Sequence, residues 1–182
     1  MASEIEHFSL PLPQFDRPAR LAVVVSPYYS RVAKGLVTGA LRKADSAGAG
    51  AEVIEVPGAL EIPPAIATLA RSGRFDGFVA LGCVIRGETT HYDTVCNDSS
   101  RGLMLLGLEG VAIGNGILTV ENADQAWVRA DPNGQDKGGG AAAAALHLIA
   151  LARRFAPPPA APPGPPIRSL REPWRLSGSD RR

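Results

Sequence analysis

The chain is poor in the features that mark several large functional classes. Cys83 and Cys96 are its only cysteines, too few for a disulfide framework or for the usual four-ligand zinc site. A reducing compartment suits them. No long run of one sign occurs in residues 1–155 and the formal net charge is +1, so the electrostatic footprint of a nucleic-acid or membrane-surface binder is missing. No apolar run approaches the length that spans a bilayer. The opening residues, Met1-Ala2-Ser3-Glu4-Ile5-Glu6-His7, are acidic and lead into no apolar stretch, which argues against a secretory signal. These absences point to a cytoplasmic protein with no nucleic-acid or membrane partner. Its 182 residues, 45% hydrophobic and 20% charged, suffice for one domain with a sizeable core. A small anionic ligand remains compatible with the charge balance.

What is present is an alternation of strand and helix patterns. Leu21–Val25 is a continuous apolar run of the kind buried on both faces of a parallel sheet. Val32, Leu36, Val37, Ala40 and Leu41 then recur at helical spacing, and Ala47-Gly48-Ala49-Gly50 stops that helix. Residues 51–56 read as the second strand. Ile62, Ile66, Leu69 and Ala70 form the next helix face, with Pro63 and Pro64 confined to its first turn, where a missing amide hydrogen costs little. A third strand over 77–84 precedes a helix carrying Tyr92, Val95, Cys96, Leu103 and Leu106 on one side. The fourth strand is expected over 111–118, followed by an exit loop at 119–122, a helix through Gln125 to Ala130, and a last helix with Ala141, Ala145, Leu148, Ile149, Ala152 and Phe155 as its stripe.

Strict alternation predicts an α/β fold, a three-layer αβα, flavodoxin-like arrangement around a central four-stranded parallel sheet with right-handed crossovers. Residues 20–155 make up this domain. Before it, residues 1–19 form an N-terminal arm in which Phe8, Leu10, Leu12 and Phe15 are interrupted by Pro11 and Pro13, so it is restricted to an edge strand or an unpaired segment. After it, residues 156–182 are crowded with proline and arginine and read as an extended or disordered tail that cannot build a core.

Ligands of open parallel sheets bind beyond the carboxyl ends of the strands, which selects residues 26–30, 57–61, 84–91 and 115–122. The most informative stretch is Leu81-Gly82-Cys83-Val84-Ile85-Arg86-Gly87-Glu88-Thr89-Thr90-His91-Tyr92-Asp93. An apolar run leaves the core, glycines let the backbone turn, and a helix begins. Amides at a helix start lack partners within the helix and carry the positive end of its dipole, so an anion is stabilised there. His91 lies in the same turn, and imidazole is the side chain best suited to move a proton near neutral pH. A generic nucleotide binder fits less well, because Ser26-Pro27-Tyr28-Tyr29-Ser30 lacks a glycine-rich phosphate loop.

Taken together and in order, several stretches resemble the 6,7-dimethyl-8-ribityllumazine synthase family of riboflavin biosynthesis. They are Val56-Pro57-Gly58-Ala59-Leu60-Glu61-Ile62-Pro63, the turn from Gly82 to Asp93, Asn115-Gly116-Ile117-Leu118-Thr119-Val120-Glu121-Asn122, and Val128-Arg129-Ala130 with Asp136-Lys137-Gly138. The resemblance covers residues 18–155. It implies a transferase, free of metal or organic cofactor, that condenses 5-amino-6-(D-ribitylamino)uracil with 3,4-dihydroxy-2-butanone 4-phosphate. His91 matches the family's proton-transfer histidine. Gly87, Glu88 and Thr89 match its phosphate loop, and Arg129 the arginine that pairs with the same phosphate. Tyr28 aligns with the aromatic that stacks on the heterocycle; Ala59, Leu60 and Glu61 match the ribityl-binding segment; Val84 and Ile85 match the backbone that reads the pyrimidine edge. Asn115 and Lys137 match positions near the ring.

The resemblance also implies a homopentamer, or multiples of one up to hollow shells, with sites between neighbouring subunits and the arm as a candidate to cover a neighbour's sheet edge. The chain departs from the family pattern in places. Pro27-Tyr28-Tyr29 replaces an arginine-aromatic-asparagine sequence, which leaves both tyrosines open as the stacking ring. Asn115 stands where many members carry an aromatic residue supplied across an interface, and Gly140 where a glutamate is common. These departures keep an alternative in view: a non-catalytic lumazine- or flavin-binding or shell-forming protein on the same fold.

Overall fold

β1 (Arg20–Val25) dictates that helices cover the sheet on both sides. Its residues after Arg20 are buried and alternate in direction. Leu21, Val23 and Val25 pack with α1 (Ser30–Ser46), α4 (Ala123–Ala130) and α5 (Lys137–Arg154), whereas Ala22 and Val24 pack with α2 (Ile62–Arg71) and α3 (His91–Leu108). A strand that is apolar on both faces is stable only if both are covered. The structure, a computed structural model, describes residues 10–156. β2 (Gly50–Glu55), β3 (Gly77–Ile85) and β4 (Ile113–Val120) complete a four-stranded sheet of order β2-β1-β3-β4 in which every pairing is parallel. The expected α/β three-layer, flavodoxin-like architecture is therefore the one observed.

Local chemistry sets the helix ends. Pro63 and Pro64 occupy the first turn of α2, and Gly48, at φ 63°, supplies the left-handed turn between α1 and β2. Asn122 caps α4 by accepting a hydrogen bond from the Gln125 amide, and Asp136 caps α5 by accepting one from Gly139. Helix α5 lies unusually close to its neighbours. A Cβ on Gly114 of β4 would strike the Ala141 carbonyl, and one on Gly138 would strike the backbone of Leu36 in α1. Those glycines let α5 bury Ala142, Ala145 and Leu146 against the sheet without side chains in the way.

β4 begins and ends two residues later than the pattern suggested, because its ladder with β3 runs on to the pair Ile85↔Val120. The consequence for the site is direct. Asn115 pairs with Ala80 in mid-strand and is not part of an exit loop, and Thr119 and Val120 are strand residues.

In the described part of the arm, residues 10–19 form no strand. Leu12 and Phe15 pack on the α1/α5 side of the core. Asp76, just before β3, accepts hydrogen bonds from the Arg20 amide at 2.8 Å and the Arg17 guanidinium at 3.5 Å, and pairs with Arg153 of α5 at 3.4 Å. Burial opposes the Asp76 charge, but these donors together hold its carboxyl below the usual carboxylate range. The remainder of the arm, including Phe8, and the tail from Pro157 onward lie outside the described residues.

Candidate active site

The carboxyl ends of β1 and β3, the β2–α2 turn and the start of α3 enclose one cavity of about 450 Å³. Small-molecule sites are commonly about 300–1,000 Å³. Ser26 ties its walls together. Its amide donates to the Leu81 carbonyl at 2.9 Å and its buried hydroxyl donates to the Pro57 carbonyl at 3.3 Å, so the ends of β1 and β3 and the β2–α2 turn hold a fixed relation. On the turn side, Ala59–Glu61 form one 3-10 turn ahead of α2, and the Glu61 carboxylate folds back over Gly58. A Cβ on Gly58 would sit 2.6 Å from Glu61 Oε2, so the glycine is what leaves that carboxylate its place.

The two tyrosines after β1 take different parts. They meet edge to face with centroids 5.1 Å apart. Tyr29 packs against the core, and burial raises its hydroxyl pKa, helped by Tyr28 and Cys83. Tyr28 is 75% exposed and lines the cavity. At the floor, burial pushes the Cys83 thiol up to about 11, with Cys96 adding to the effect. Such a thiol stays protonated at neutral pH and is a poor nucleophile.

The β3–α3 turn forms the polar wall. The Arg86 amide still donates to Val120 at 2.9 Å, continuing the β3–β4 ladder. Beyond it, the amides of Gly87, Glu88, Thr89 and Thr90 have no acceptor among the described residues, and the His91 amide reaches the Thr89 hydroxyl only at 3.4 Å. An exposed row of amides therefore stands at the start of an 18-residue helix, the arrangement that favours an anion. His91 and Tyr92 follow at once and line the same cavity.

Of the residues selected from sequence, the fold brings together Tyr28, Ala59, Leu60, Glu61, Val84, Ile85, Gly87, Thr89 and His91. The wall of Tyr28 and Ala59–Glu61 and the wall of unpaired amides and His91 thus face one cavity of a single chain. Glu88 lies in the same loop without lining the cavity. Asn115, Arg129 and Lys137 are elsewhere: they line a separate depression of about 360 Å³ along the outer edge of β4, against α4 and α5. There Arg129 donates to the Gln125 carbonyl at 3.0 Å, and Asn115 accepts from the free-edge amide of Ile117 at 2.9 Å. Tyr29, left open beside Tyr28 as the stacking ring, also lines the main cavity, as do Ser26, Gly58, Cys83, Tyr92 and Val95, which were not given a role in the site. Position at a strand end was the available signal for Ser26, Tyr29 and Gly58. A larger groove of about 710 Å³ between α3 and α5, which Asn115 also lines, has no titratable side chain in its lining.

A doubly wound parallel sheet with an anion-ready turn, a histidine and an exposed aromatic ring at its strand ends defines a flavodoxin-like α/β protein built to hold a small polar ligand. Comparison with known proteins narrows this. The family model described as 6,7-dimethyl-8-ribityllumazine synthase matches residues 18–153. The protein of that name from Jannaschia sp. (strain CCS1) is 55% identical over 122 residues, spanning 67% of this chain and 68% of the relative. Its namesake from Erythrobacter litoralis is 53% identical over 120 residues, 66% of this chain and 86% of the relative. A third relative, 6,7-dimethyl-8-ribityllumazine synthase 1 of Rhizobium meliloti, is 50% identical over 129 residues, with shares of 67% and 84%. The chain belongs to the 6,7-dimethyl-8-ribityllumazine synthase family.

Proposed function

We propose that the protein is a transferase that condenses 5-amino-6-(D-ribitylamino)uracil with 3,4-dihydroxy-2-butanone 4-phosphate to give 6,7-dimethyl-8-ribityllumazine, with loss of phosphate and water. The observation that carries the reading is the convergence, in one cavity, of the residues the family motif selects, with His91 beside unpaired amides. In this reading the amides of Gly87, Glu88 and Thr89 receive the phosphate, where fixed donors stabilise its charge without reorganising. Tyr28 offers a ring face to the pyrimidine, and Val84 and Ile85 meet its edge through their backbone. Ala59, Leu60 and Glu61 take the ribityl chain, the carboxylate accepting hydroxyl hydrogens. As the amine adds to the ketone, His91 takes up its proton and returns one as water leaves to form the imine. Phosphate elimination and ring closure complete the reaction.

We further place Arg129, Lys137 and Asn115 in the site of a neighbouring copy. Their separation from the main cavity within one chain supports this, as do the bare apolar groove between α3 and α5 and the exposed edge strand β2, whose Val53 is 40% exposed. The assembly we infer is a pentamer or a multiple of one, in the cytoplasm. Mixing purified protein with both substrates and following lumazine absorbance tests the activity, and a rate equal to the uncatalysed background overturns it. Light scattering tests the assembly, for which a monomer is the overturning result.

A further inference from the structure

Arg86 closes the turn that carries the site, yet it does not line the cavity. Its Nε donates to both carboxylate oxygens of Glu121, at 3.2 and 3.0 Å, and its Nη1 donates to Asp93 at 3.3 Å. The guanidinium carbon lies 4.0 Å from the centroid of the Tyr92 ring, a cation–π distance. Glu121 hydrogen bonds raise the Arg86 pKa further, with Asp93 contributing. One planar group is thus engaged at the end of β4 and at the first turn of α3 while its own backbone stays in the β3–β4 ladder.

The residues held this way are those on either side of the loop. Arg86 precedes Gly87; Tyr92 and Asp93 follow His91. Between them, Gly87 to Thr90 make no tertiary hydrogen bond among the described residues, so packing of the loop itself does little to fix its path. With two carboxylates and an aromatic face already engaged, the guanidinium is not the group left free for a substrate phosphate. A lysine would supply the charge but neither the flat face nor the directed donors.

We propose that Arg86 is a positioning residue: by clamping Tyr92 and Asp93 to Glu121 it sets the course of residues 87–91, and so the aim of the phosphate-binding amides and of His91. The inference rests on the reaction proposed above for what those groups bind, but its structural half does not. Positioning a charged substrate off by about 1 Å can cost as much as about a hundredfold in rate, so losing a clamp without losing the amides has an intermediate effect.

Arg86→Met keeps a long apolar stem and removes the donors; Arg86→Lys keeps the charge. In full-length protein, Arg86→Met is expected to speed hydrogen exchange of the amides of residues 86, 93 and 94, which border the loop and donate to the Val120 and Thr90 carbonyls, with the rest of the domain unchanged. It is also expected to raise KM for the phosphate-bearing substrate about tenfold while KM for the pyrimidine changes less than about twofold. Arg86→Lys should recover only part of the loss. Unchanged exchange at residues 86, 93 and 94, faster exchange spread over the whole domain, or an equal rise in both KM values overturns the proposal. If the wild-type protein shows no synthase activity, the proposed function fails, and exchange at residues 86, 93 and 94 alone still decides the clamp.

Discussion

The two ends of the sheet carry opposite versions of one device. At the amino end, a single carboxylate, Asp76, is shared among Arg17, Arg20 and Arg153, with Arg153 also lying 5.0 Å over the Phe15 ring and donating to the Arg17 carbonyl at 2.8 Å. At the carboxyl end, a single arginine, Arg86, is shared between Glu121 and Asp93 and lies over Tyr92. The Asp76 side chain is only 13% exposed, while Arg86, Asp93 and Glu121 are 42%, 55% and 57% exposed. Around Asp76 three guanidiniums converge on one carboxylate, with Arg153 Nε buried and without an acceptor among the described residues; beside Arg86 it is a row of exposed backbone amides that has none. One end therefore fastens the arm and α5 to the sheet, and the other holds open a turn that a ligand can complete. Stability and function in this fold are separated by the length of a strand.

The separation makes its largest prediction at His91. His91→Ala should lower turnover about a hundredfold, the usual scale for loss of a general acid–base group, with the urea midpoint unmoved, since the side chain is exposed. An unchanged rate removes His91 from the proposed chemistry. The same variant sharpens where Arg129 acts. Co-expressed with an inactive Arg129→Ala chain, it should recover about a quarter of wild-type activity if each site takes residue 91 from one copy and residue 129 from the next. Recovery no better than the sum of the separate variants would mean that both act within one chain.

How much of this was legible in the chain follows from where each signal comes from. β1 and β3 could be read because burial on both faces demands unbroken apolar runs, and the site loops followed from strand ends. β4 could not be bounded, because Gly114 and Gly116 carry no side-chain pattern; they are glycine to admit Ala141 and Leu81, contacts made by other elements. Asn115, selected with the strand-end range 115–122, accordingly lies in mid-strand opposite Ala80. Arg129 was expected to pair with the same phosphate as the turn, but its separation from the main cavity depends on the side of β4 on which α4 packs, which spacing does not encode. Arg86 stood within the most informative stretch and received no role, since its partners lie seven and 35 positions away. The chain's likeness to its family named the site residues; only the folded arrangement divided them between two surfaces.

At the amino end, Asp76→Asn should lower stability by about 1 kcal/mol, because the amide keeps an acceptor for the Arg20 backbone but loses the charge its arginines pair with. Activity per folded molecule should not change, measured by urea titration beside the absorbance assay. The sign with pH is fixed. A carboxyl held below its unfolded pKa contributes stability that is present above the unfolded value, 3.8, and lost as pH falls through the folded one. The acid side of the wild-type stability curve should therefore flatten in Asp76→Asn, and a curve of unchanged shape would show that the hub is not a charge-based fastening.

Cys83 offers the smallest effect, and it bears on the floor of the site, where the exposed end borrows from the core. Burial raises its thiol from 9.0 to about 11 in the folded chain. A group raised in this way contributes fully below the unfolded pKa, and the contribution is lost as pH climbs through the folded one, so the window is about pH 9 to 11. Tyr29, Tyr92 and Cys96 are also raised by burial, and all of them belong to the wall or floor of the cavity or to the helix behind it. The urea midpoint should accordingly hold steady up to about pH 8.5 and decline above pH 9, and Cys83→Ser should remove only part of the decline. In the same folded protein at pH 8, iodoacetamide should label Cys83 far more slowly than in urea. Rapid labelling would mean that the floor is wetter than its packing indicates, and the contrast between a fastened end and an open end would then extend deeper into the sheet than Arg86.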